Sequence, residues 1–214
     1  DMIRELGMDL KGYAEINRPW NASNKWQYNL MMEMAFQNSH TIYSGAESTY
    51  DREYQPGGTL MNVNGQTAGR MDGSGVDDMG RFCWMTFRGH RDEGLLVIAA
   101  YRVCHEASDN PGPYTAYTQQ YTMMRKRGVA KPNPRRQILK DMLDLIDKKR
   151  KEGYRPMLMM DANGDYYHPL RPDKELAKFI DDAGLMDPFK ERFPDRIKTY
   201  LYGDKRLDML LMDR

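Results

Sequence analysis

The sequence has little of the material that would indicate a disulfide scaffold, a zinc site or a membrane-spanning segment. Its 214 residues include only two cysteines and four histidines, and these lack the ligand spacing of a structural zinc site. Cys83 and Cys104 each stand in an apolar, strand-like stretch, so we expect two buried thiols in a reducing, intracellular compartment. No apolar run approaches the roughly 18 residues that a transmembrane helix needs, and we therefore expect no membrane partner.

The sequence also lacks a strong charge of either sign. Its 32 basic residues nearly balance its 31 acidic residues, which gives a net charge of +1. The globally basic surface of many nucleic-acid-binding proteins is therefore missing. Basic residues do crowd the segments 125–136 and 148–151. Such runs usually form solvated helix faces or ends, and the first is also a candidate contact for the phosphates of a nucleic acid.

Strand-like and helix-like segments alternate over most of the chain, and its length suits one domain. Apolar patterning predicts strands at 9–16, 41–44, 59–63, 81–87, 95–101, 155–160 and 206–212, and helices at 24–36, 116–127, 134–152 and 174–183. Asn64-Gly65 predicts a hairpin turn, and the Gly- and Asp-rich segment 69–80 predicts a loop. Early hairpin-connected strands followed by alternating strands and helices indicate an α/β architecture with a mixed sheet.

Three carboxylates stand at strand ends or in short strands: Glu15, Asp161 and Asp208. Asn163 follows Asp161 by two residues, so in an extended chain both side chains point to the same side. Ligand crevices of open α/β sheets lie at the carboxyl ends of strands. A Glu and an Asp gathered there suit a hard divalent ion such as Mg²⁺, which takes one or two carboxylates and completes its shell with water and phosphate.

Each of these residues also has a purely structural explanation. Asp161-Ala162-Asn163 makes a good turn, because Asp and Asn side chains bond their own backbone. Glu15 alone is typical of a surface carboxylate, and Asp208 alone could form an ion pair with Arg206. Taken alone, Asp161 and Asn163 leave the turn and the site equally open.

The order of a series of short motifs carries more weight than any one of them. They are Gly57-Gly58-Thr59, Gly80-Arg81-Phe82, Ala100-Tyr101-Arg102, Gln119-Gln120, Pro134-Arg135, Asp161-Ala162-Asn163 and Arg206-Leu207-Asp208. Together with Glu15, this order resembles the endonuclease/exonuclease/phosphatase superfamily, to which deoxyribonuclease I and the apurinic/apyrimidinic endonucleases belong. More narrowly, it resembles the endonuclease-like domains of retroelements.

The resemblance implies a fold and a role for each matching residue. The implied fold is a four-layer α/β sandwich, with two mixed β-sheets flanked by helices as in deoxyribonuclease I. Glu15 matches the metal-binding glutamate of the family, and Tyr101 matches the tyrosine that contacts the scissile phosphate. Asp161 matches the aspartate that orients or activates the attacking water, and Asn163 the asparagine that supports the phosphoryl group. Asp208 matches an acid that helps place the metal or its water.

The resemblance further implies substrate contacts at Arg81, Arg102 and Thr199, and Mg²⁺ as the cofactor, with Mn²⁺ as a substitute. It implies nucleic acid as the partner, with DNA favoured over RNA, and no obligate protein partner is evident.

The sequence departs from the family pattern in several places. Met160 stands where the family often has glycine, and Tyr101 has no Pro-Asn after it. We expect residues 1–214 to form a single domain of the family that lacks its first, Asn-bearing strand and its final Ser-Asp-His strand. His168 follows Asn163 but lacks the context of the family histidine, so we expect an ordinary loop residue there.

Three functions fit this pattern. The first is metal-dependent hydrolysis of phosphodiester bonds in nucleic acid, with Tyr114 and Tyr117 available to stack on bases. The second keeps the fold and acts on phosphomonoesters, small phosphoesters or lipid phosphates. The third is a catalytically incomplete module that binds nucleic acid or a protein.

Overall fold

Nine strands and six helices form in the part of the chain that the computed structural model describes, which is residues 7–46, 54–90, 93–104, 114–168, 170–193, 198–203 and 205–214. The strands are β1 (Leu10–Ala14), β2 (His40–Ser44), β3 (Thr59–Val63), β4 (Met71–Val76), β5 (Phe82–Arg88), β6 (Gly94–Tyr101), β7 (Tyr154–Asp161), β8 (Leu185–Met186) and β9 (Asp208–Asp213). The helices are α1 (Ala22–Ala35), α2 (Gly65–Ala68), α3 (Ala116–Lys126), α4 (Pro134–Lys151), α5 (Lys174–Asp182) and α6 (Pro188–Arg192).

Side-chain caps fix where the long helices begin. The Asn133 side chain accepts a hydrogen bond from the Arg136 backbone N–H, and Pro134 occupies the first position of α4, where its missing N–H costs nothing. Asp173 caps α5 by accepting from the Leu176 N–H. Both helix starts therefore follow from local sequence, and both lie close to the site described below.

The strands form two sheets with different pairing. The smaller has the order β1-β3-β2 and is antiparallel throughout, whereas the larger has the order β4-β5-β6-β7-β9-β8. In the larger sheet β6 and β7 are parallel and their neighbours are antiparallel. A parallel pair at the centre of a mixed sheet needs a crossover, which α3 and α4 supply.

Side chains of β6 alternate between two apolar cores. Leu96 and Ile98 pack with the apolar faces of α4 and α5, whereas Val97 and Ala99 pack against the smaller sheet. The continuous apolar run predicted as a doubly covered strand is therefore the strand between the two cores. On the far side, α1 meets the smaller sheet through Tyr43, whose hydroxyl donates to Asn29. The predicted fold class, a deoxyribonuclease I-like sandwich of sheets and helices, is confirmed.

The hairpin predicted at Asn64-Gly65 is wrong. Gly65 does have the positive φ (63°) that favours glycine, but the turn opens the short helix α2. Backbone N–H groups at 64 and 65 donate to Asp9 and Gln37, so tertiary hydrogen bonds replace those of a two-residue hairpin.

The loop predicted over 69–80 is also wrong for residues 71–76, which form β4. Gly75 pairs with Trp84 of β5, and a Cβ at position 75 would lie 2.5 Å from the indole ring. The glycines that indicated a loop instead admit a large ring from the neighbouring strand. No described helix is both long and apolar enough to span a bilayer.

Candidate active site

Three predicted site residues form a row across adjacent strands of the larger sheet. Tyr101, the last residue of β6, pairs with Asp161, the last residue of β7, and Asp161 pairs with Asp208, the first residue of β9. Directly paired residues share a face of the sheet, with Cβ atoms about 5 Å apart in an antiparallel pair. Two carboxylates and a phenol are therefore gathered at the carboxyl ends of β6 and β7.

Glu15 joins this row from the other sheet. The Tyr101 hydroxyl donates a long hydrogen bond, 3.3 Å, to Glu15 Oε1. Glu15 has a φ of +54°, which is uncommon for a residue with a side chain. The backbone N–H groups of Ile16 and Asn17 donate hydrogen bonds to the carbonyls of Gly58 and Gly57, and these bonds maintain the strained conformation of Glu15. Such strain concentrates at functional sites, where the surrounding structure enforces it.

Asn163 shows the same kind of strain, with a φ of +42°. Its backbone N–H donates to Asp161 Oδ1 at 3.2 Å, so the turn predicted as an alternative to a site is part of the site. Its side-chain amide donates to the carbonyl of Arg102, and its Oδ1 accepts from the Cys104 thiol at 3.3 Å. Hydrogen bonds to both the nitrogen and the oxygen of the side-chain amide thus fix Asn163 beside Asp161.

Electrostatics make Asp161 unusual among the carboxylates. Burial, followed by the nearby charge of Asp208, raises the pKa of Asp161 to about 6, although the hydrogen bond from Asn163 opposes the shift. Burial and the charge of Glu15 also raise the pKa of Tyr101, so its hydroxyl remains a hydrogen-bond donor at neutral pH.

The donor set suits a hard divalent ion, although the structure does not present a closed cage. Among the described residues, no three His, Cys, Asp or Glu side chains are arranged to hold a metal. Mg²⁺ needs only one or two carboxylates when water and phosphate complete its shell. Glu15 and Asp208 are exposed carboxylates that can supply oxygen ligands, and they lie on either side of Asp161, whose pKa is raised. A cation there would offset the crowding of negative charge, so the residues present fit Mg²⁺.

Arg102, predicted as a substrate contact, lies in the interior instead. It is 1% exposed, and its guanidinium donates to Asp173 Oδ2 at 2.6 Å and to the carbonyl of Arg135 at 3.1 Å. Arg135 is also buried and donates to Asp173, to the carbonyl of Asn163 and to the carbonyl of Val103. The two arginines and Asp173 therefore tie together the segments that follow β6 and β7 and the first turns of α4 and α5.

Gly164 is required by this buried ion cluster. A Cβ at position 164 would lie 2.4 Å from Asp173 Oδ2 and 3.0 Å from the Arg102 guanidinium. The residue after Asn163 must therefore be glycine for the cluster to close beneath the site.

Arg81 and Thr199, the other two predicted substrate contacts, also have internal partners. Arg81 is 3% exposed and its side chain pairs with Asp77 and Asp141, each at 2.7 Å. Thr199 is exposed, and its Oγ1 accepts from the backbone N–H of Asp208 at 2.9 Å. The contacts of Arg81 and Thr199 therefore hold neighbouring parts of the chain in place.

The basic stretch 125–136 is mostly paired. Arg127 bonds Asp78 and Arg136 bonds Glu175, each at 2.6 Å, whereas Lys126 and Lys131 are exposed. Two exposed ion pairs of this kind leave a much weaker basic surface than the sequence alone indicated.

Two cavities lie at the site, and the hydrogen-bonded residues Cys104 and Asn163 line one each. One, of about 250 Å³, contains Glu15, Tyr101 and Cys104 and has a wall of tyrosines, namely Tyr54, Tyr114 and Tyr117. The other, of about 600 Å³, contains Asn163 and His168. The expectation of two buried thiols is correct for Cys83 and wrong for Cys104, whose thiol is at the site.

Sequence reasoning missed the places of Cys104, Arg135 and His168 at the site. Cys104 stands three residues after Tyr101, and His168 five after Asn163, so proximity in the chain was the available signal. Nothing local to Arg135 indicated that its charge would be buried beneath Asn163.

No protein-family model and no curated protein sequence matches the chain. Solved structures do match. The human Nocturnin catalytic domain, with a bound sulfate anion, is 9% identical over 99% of this chain and 72% of its own, with a TM-score of 0.62. A 3'-5' exonuclease from Neisseria meningitidis is 16% identical over 96% and 76%, with a TM-score of 0.59. A mannosyl-6-phosphatase from Bacteroides thetaiotaomicron is 13% identical over 99% and 73%, with a TM-score of 0.53. The chain therefore has the fold of the endonuclease/exonuclease/phosphatase superfamily.

Proposed function

We propose that this chain, built on the fold of phosphoester hydrolases, cleaves phosphodiester bonds of nucleic acid with water as the nucleophile. The observation that carries the proposal is the row in which Asp161 lies between Tyr101 and Asp208. A carboxylate whose pKa is about 6 is ionised at neutral pH and is a stronger base than an ordinary aspartate. Asp161 is therefore suited to accept the proton of an attacking water.

The neighbours of Asp161 divide the remaining tasks. Asn163 holds one oxygen of the Asp161 carboxylate through its backbone N–H and so fixes the orientation of the base. Tyr101 has a protonated hydroxyl, now bonded to Glu15, that can donate to a phosphate oxygen. Thr199 fixes the start of β9 and so the place of Asp208.

Glu15 and Asp208 are the residues that would hold Mg²⁺, or Mn²⁺ in its place. A bound divalent ion supplies polarisation of the phosphate and stabilisation of the leaving oxygen.

The cavity with the tyrosine wall supports nucleic acid as the substrate. Tyr54 and Tyr114 are about half exposed, at 57% and 48%, next to the pocket that contains Glu15 and Tyr101. Exposed aromatic rings offer stacking platforms for unpaired bases. The fold is shared with a protein described as a 3'-5' exonuclease and with a 3' phosphatase described as bound to a product DNA hairpin, and we propose DNA rather than RNA as the substrate of this chain.

Cleavage of supercoiled plasmid DNA tests the proposal. We expect nicking that requires Mg²⁺ or Mn²⁺, is abolished by a chelator and falls by at least about 100-fold in Asp161→Asn, because a general base contributes about that much. Asp147→Asn, an exposed carboxylate on α4, is the matched control and should retain activity. Nicking that is undiminished in Asp161→Asn would refute the assignment of the base.

A small phosphoester is the second candidate substrate. The cavity at Glu15 measures about 250 Å³, slightly below typical ligand pockets, and the fold is shared with a mannosyl-6-phosphatase. Comparison of plasmid DNA with sugar phosphates at one metal concentration separates the two. If neither is turned over with either metal, a binding module becomes the better explanation.

A further inference from the structure

The larger cavity, of about 600 Å³, is lined by Asn163 and shares no lining residue with the cavity of the tyrosine wall. Asn163 is two residues after Asp161, and two residues of chain span at most about 7 Å, so this part of the lining is close to Asp161. The proposed reaction, which needs only the row and Glu15, gives the cavity no role.

Positive charge from several sources converges on the cavity. The first turns of α4 and α5 both border it, through Asn133 and Lys174, and helix N-termini favour anions. Arg171, Lys174 and Lys205 line it as exposed cations, and none forms an ion pair with a residue that the structure describes.

A buried donor adds an independent indication of a ligand. Arg135 lines the cavity with its side chain 4% exposed, and its Nε–H is buried without an acceptor in the described part of the chain. Buried donors without partners are rare in folded proteins, and an unfilled anion site is one explanation. His168 uses Nδ1 to accept from the N–H groups of Leu170 and Arg171, which leaves Nε2 as the possible donor.

The carboxylates of the cavity do not cancel this charge. They are Asp165, Asp173 and Glu175, against five arginines and lysines in the lining. Asp173 bonds both Arg102 and Arg135, and Glu175 bonds Arg136. Asp165 accepts from the backbone N–H groups of residues 167 and 206. The exposed cations therefore face a cavity in which cations outnumber carboxylates.

We propose that this cavity binds a second, non-scissile phosphate of the nucleic-acid strand, next to the phosphodiester that is cleaved. The inference rests on the proposed function and deepens it. Aromatic rings line the cavity that contains Glu15, and cations line the cavity that contains Asn163. A strand that reaches both cavities would place a base against the rings and a phosphate against the cations. Cleavage should then favour substrates that carry a phosphate beside the scissile bond.

Short thymidine substrates test the proposal. TpT has only the scissile phosphodiester, whereas pTpT and TpTp each add one terminal phosphate. The wild-type protein should cleave one of the two longer substrates with a KM lower than that for TpT by roughly tenfold or more, as expected for a charge-assisted contact. In the triple variant R171Q/K174Q/K205Q this advantage should disappear, with kcat for TpT unchanged. K140Q/K148Q/K151Q removes three exposed charges of α4 and is the matched control.

A binding assay keeps the test independent of turnover. Binding of oligo(dT) is measured by fluorescence anisotropy with both variants built on the Asp161→Asn background. The slope of log affinity against log salt should be shallower by about 0.7 in the triple variant than in the control, as expected for the loss of one phosphate contact. If wild-type protein cleaves TpT, pTpT and TpTp equally well, the second phosphate site is refuted and the proposed function stands. If nothing is cleaved, the proposed function fails, and an unchanged salt slope would then overturn the phosphate site as well.

Discussion

Replacement of Asp161 by asparagine is expected to stabilise the protein at neutral pH while it removes activity. Burial and the charge of Asp208 raise the pKa of Asp161 from 3.8 to about 6. A difference of about two pKa units corresponds to up to about 3 kcal/mol. The folded state binds the Asp161 proton more tightly than the unfolded state does, so protonation of Asp161 stabilises the fold. This contribution is fully present below the unfolded pKa of 3.8 and is lost as the pH rises through about 6.

The charged form of Asp161 therefore lowers the free energy of unfolding above about pH 7, and asparagine removes this cost at every pH. Urea unfolding of both proteins at about pH 4 and about pH 7.5 measures the effect. We expect the advantage of Asp161→Asn to be up to about 3 kcal/mol at the higher pH and close to zero at the lower one. Asp147→Asn, on an exposed face, should show no such pH dependence. An advantage of equal size at both values would refute the argument, because it would not come from ionisation.

Three further predictions concern the surroundings of Asp161. Asp208→Asn should lower the pKa of Asp161 below about 6 in the metal-free protein, measured by NMR titration of the Asp161 carboxyl, because it removes a neighbouring charge that raises this pKa. Gly164→Ala should lower the melting temperature by several degrees, since its Cβ would lie 2.4 Å from Asp173 Oδ2. Alkylation of Cys104 with iodoacetamide should abolish hydrolysis, because the added group would occupy the space between Glu15 and Asn163, and mass spectrometry would identify the modified thiol.

The predictions for Gly164 and Cys104 each have an internal control. Gly69→Ala places a Cβ 3.4 Å from its nearest neighbour and should leave the melting temperature almost unchanged. Cys83 is fully buried and should resist iodoacetamide, and Cys104→Ser should retain activity after the treatment. An unchanged pKa of Asp161 in Asp208→Asn would show that the charge of Asp208 does not raise it.

Local sequence predicted the centre of the site because the geometry there is local. Asp161 and Asn163 are two residues apart at the end of a strand, so they had to lie close together, although a turn and not extended chain joins them. The order of Tyr101, Asp161 and Asp208 along the chain matched a family pattern, and the strand pairing places them in one row. Their catalytic roles remain predictions.

The fate of the arginines could not be predicted in this way. Arg102 is buried because Asp173, 71 residues later, receives its charge. Nothing near Arg102 distinguishes a buried ion pair from a phosphate contact, because both require a cation beside an anion. Likewise, Gly75 favours a loop in the sequence, whereas in the structure its missing side chain makes room for the ring of Trp84 on the neighbouring strand.

The pairing of β9 with β7 has a consequence for how the protein folds. Asp208 pairs with Asp161 across a stretch of chain that contains α5, β8 and α6. Such a non-local pairing is slow to form, because the entropy of closing the intervening loop is lost before the contacts stabilise it. An intermediate with β4 to β7 assembled but β9 undocked would carry no complete row, so folding and hydrolytic competence would be completed together.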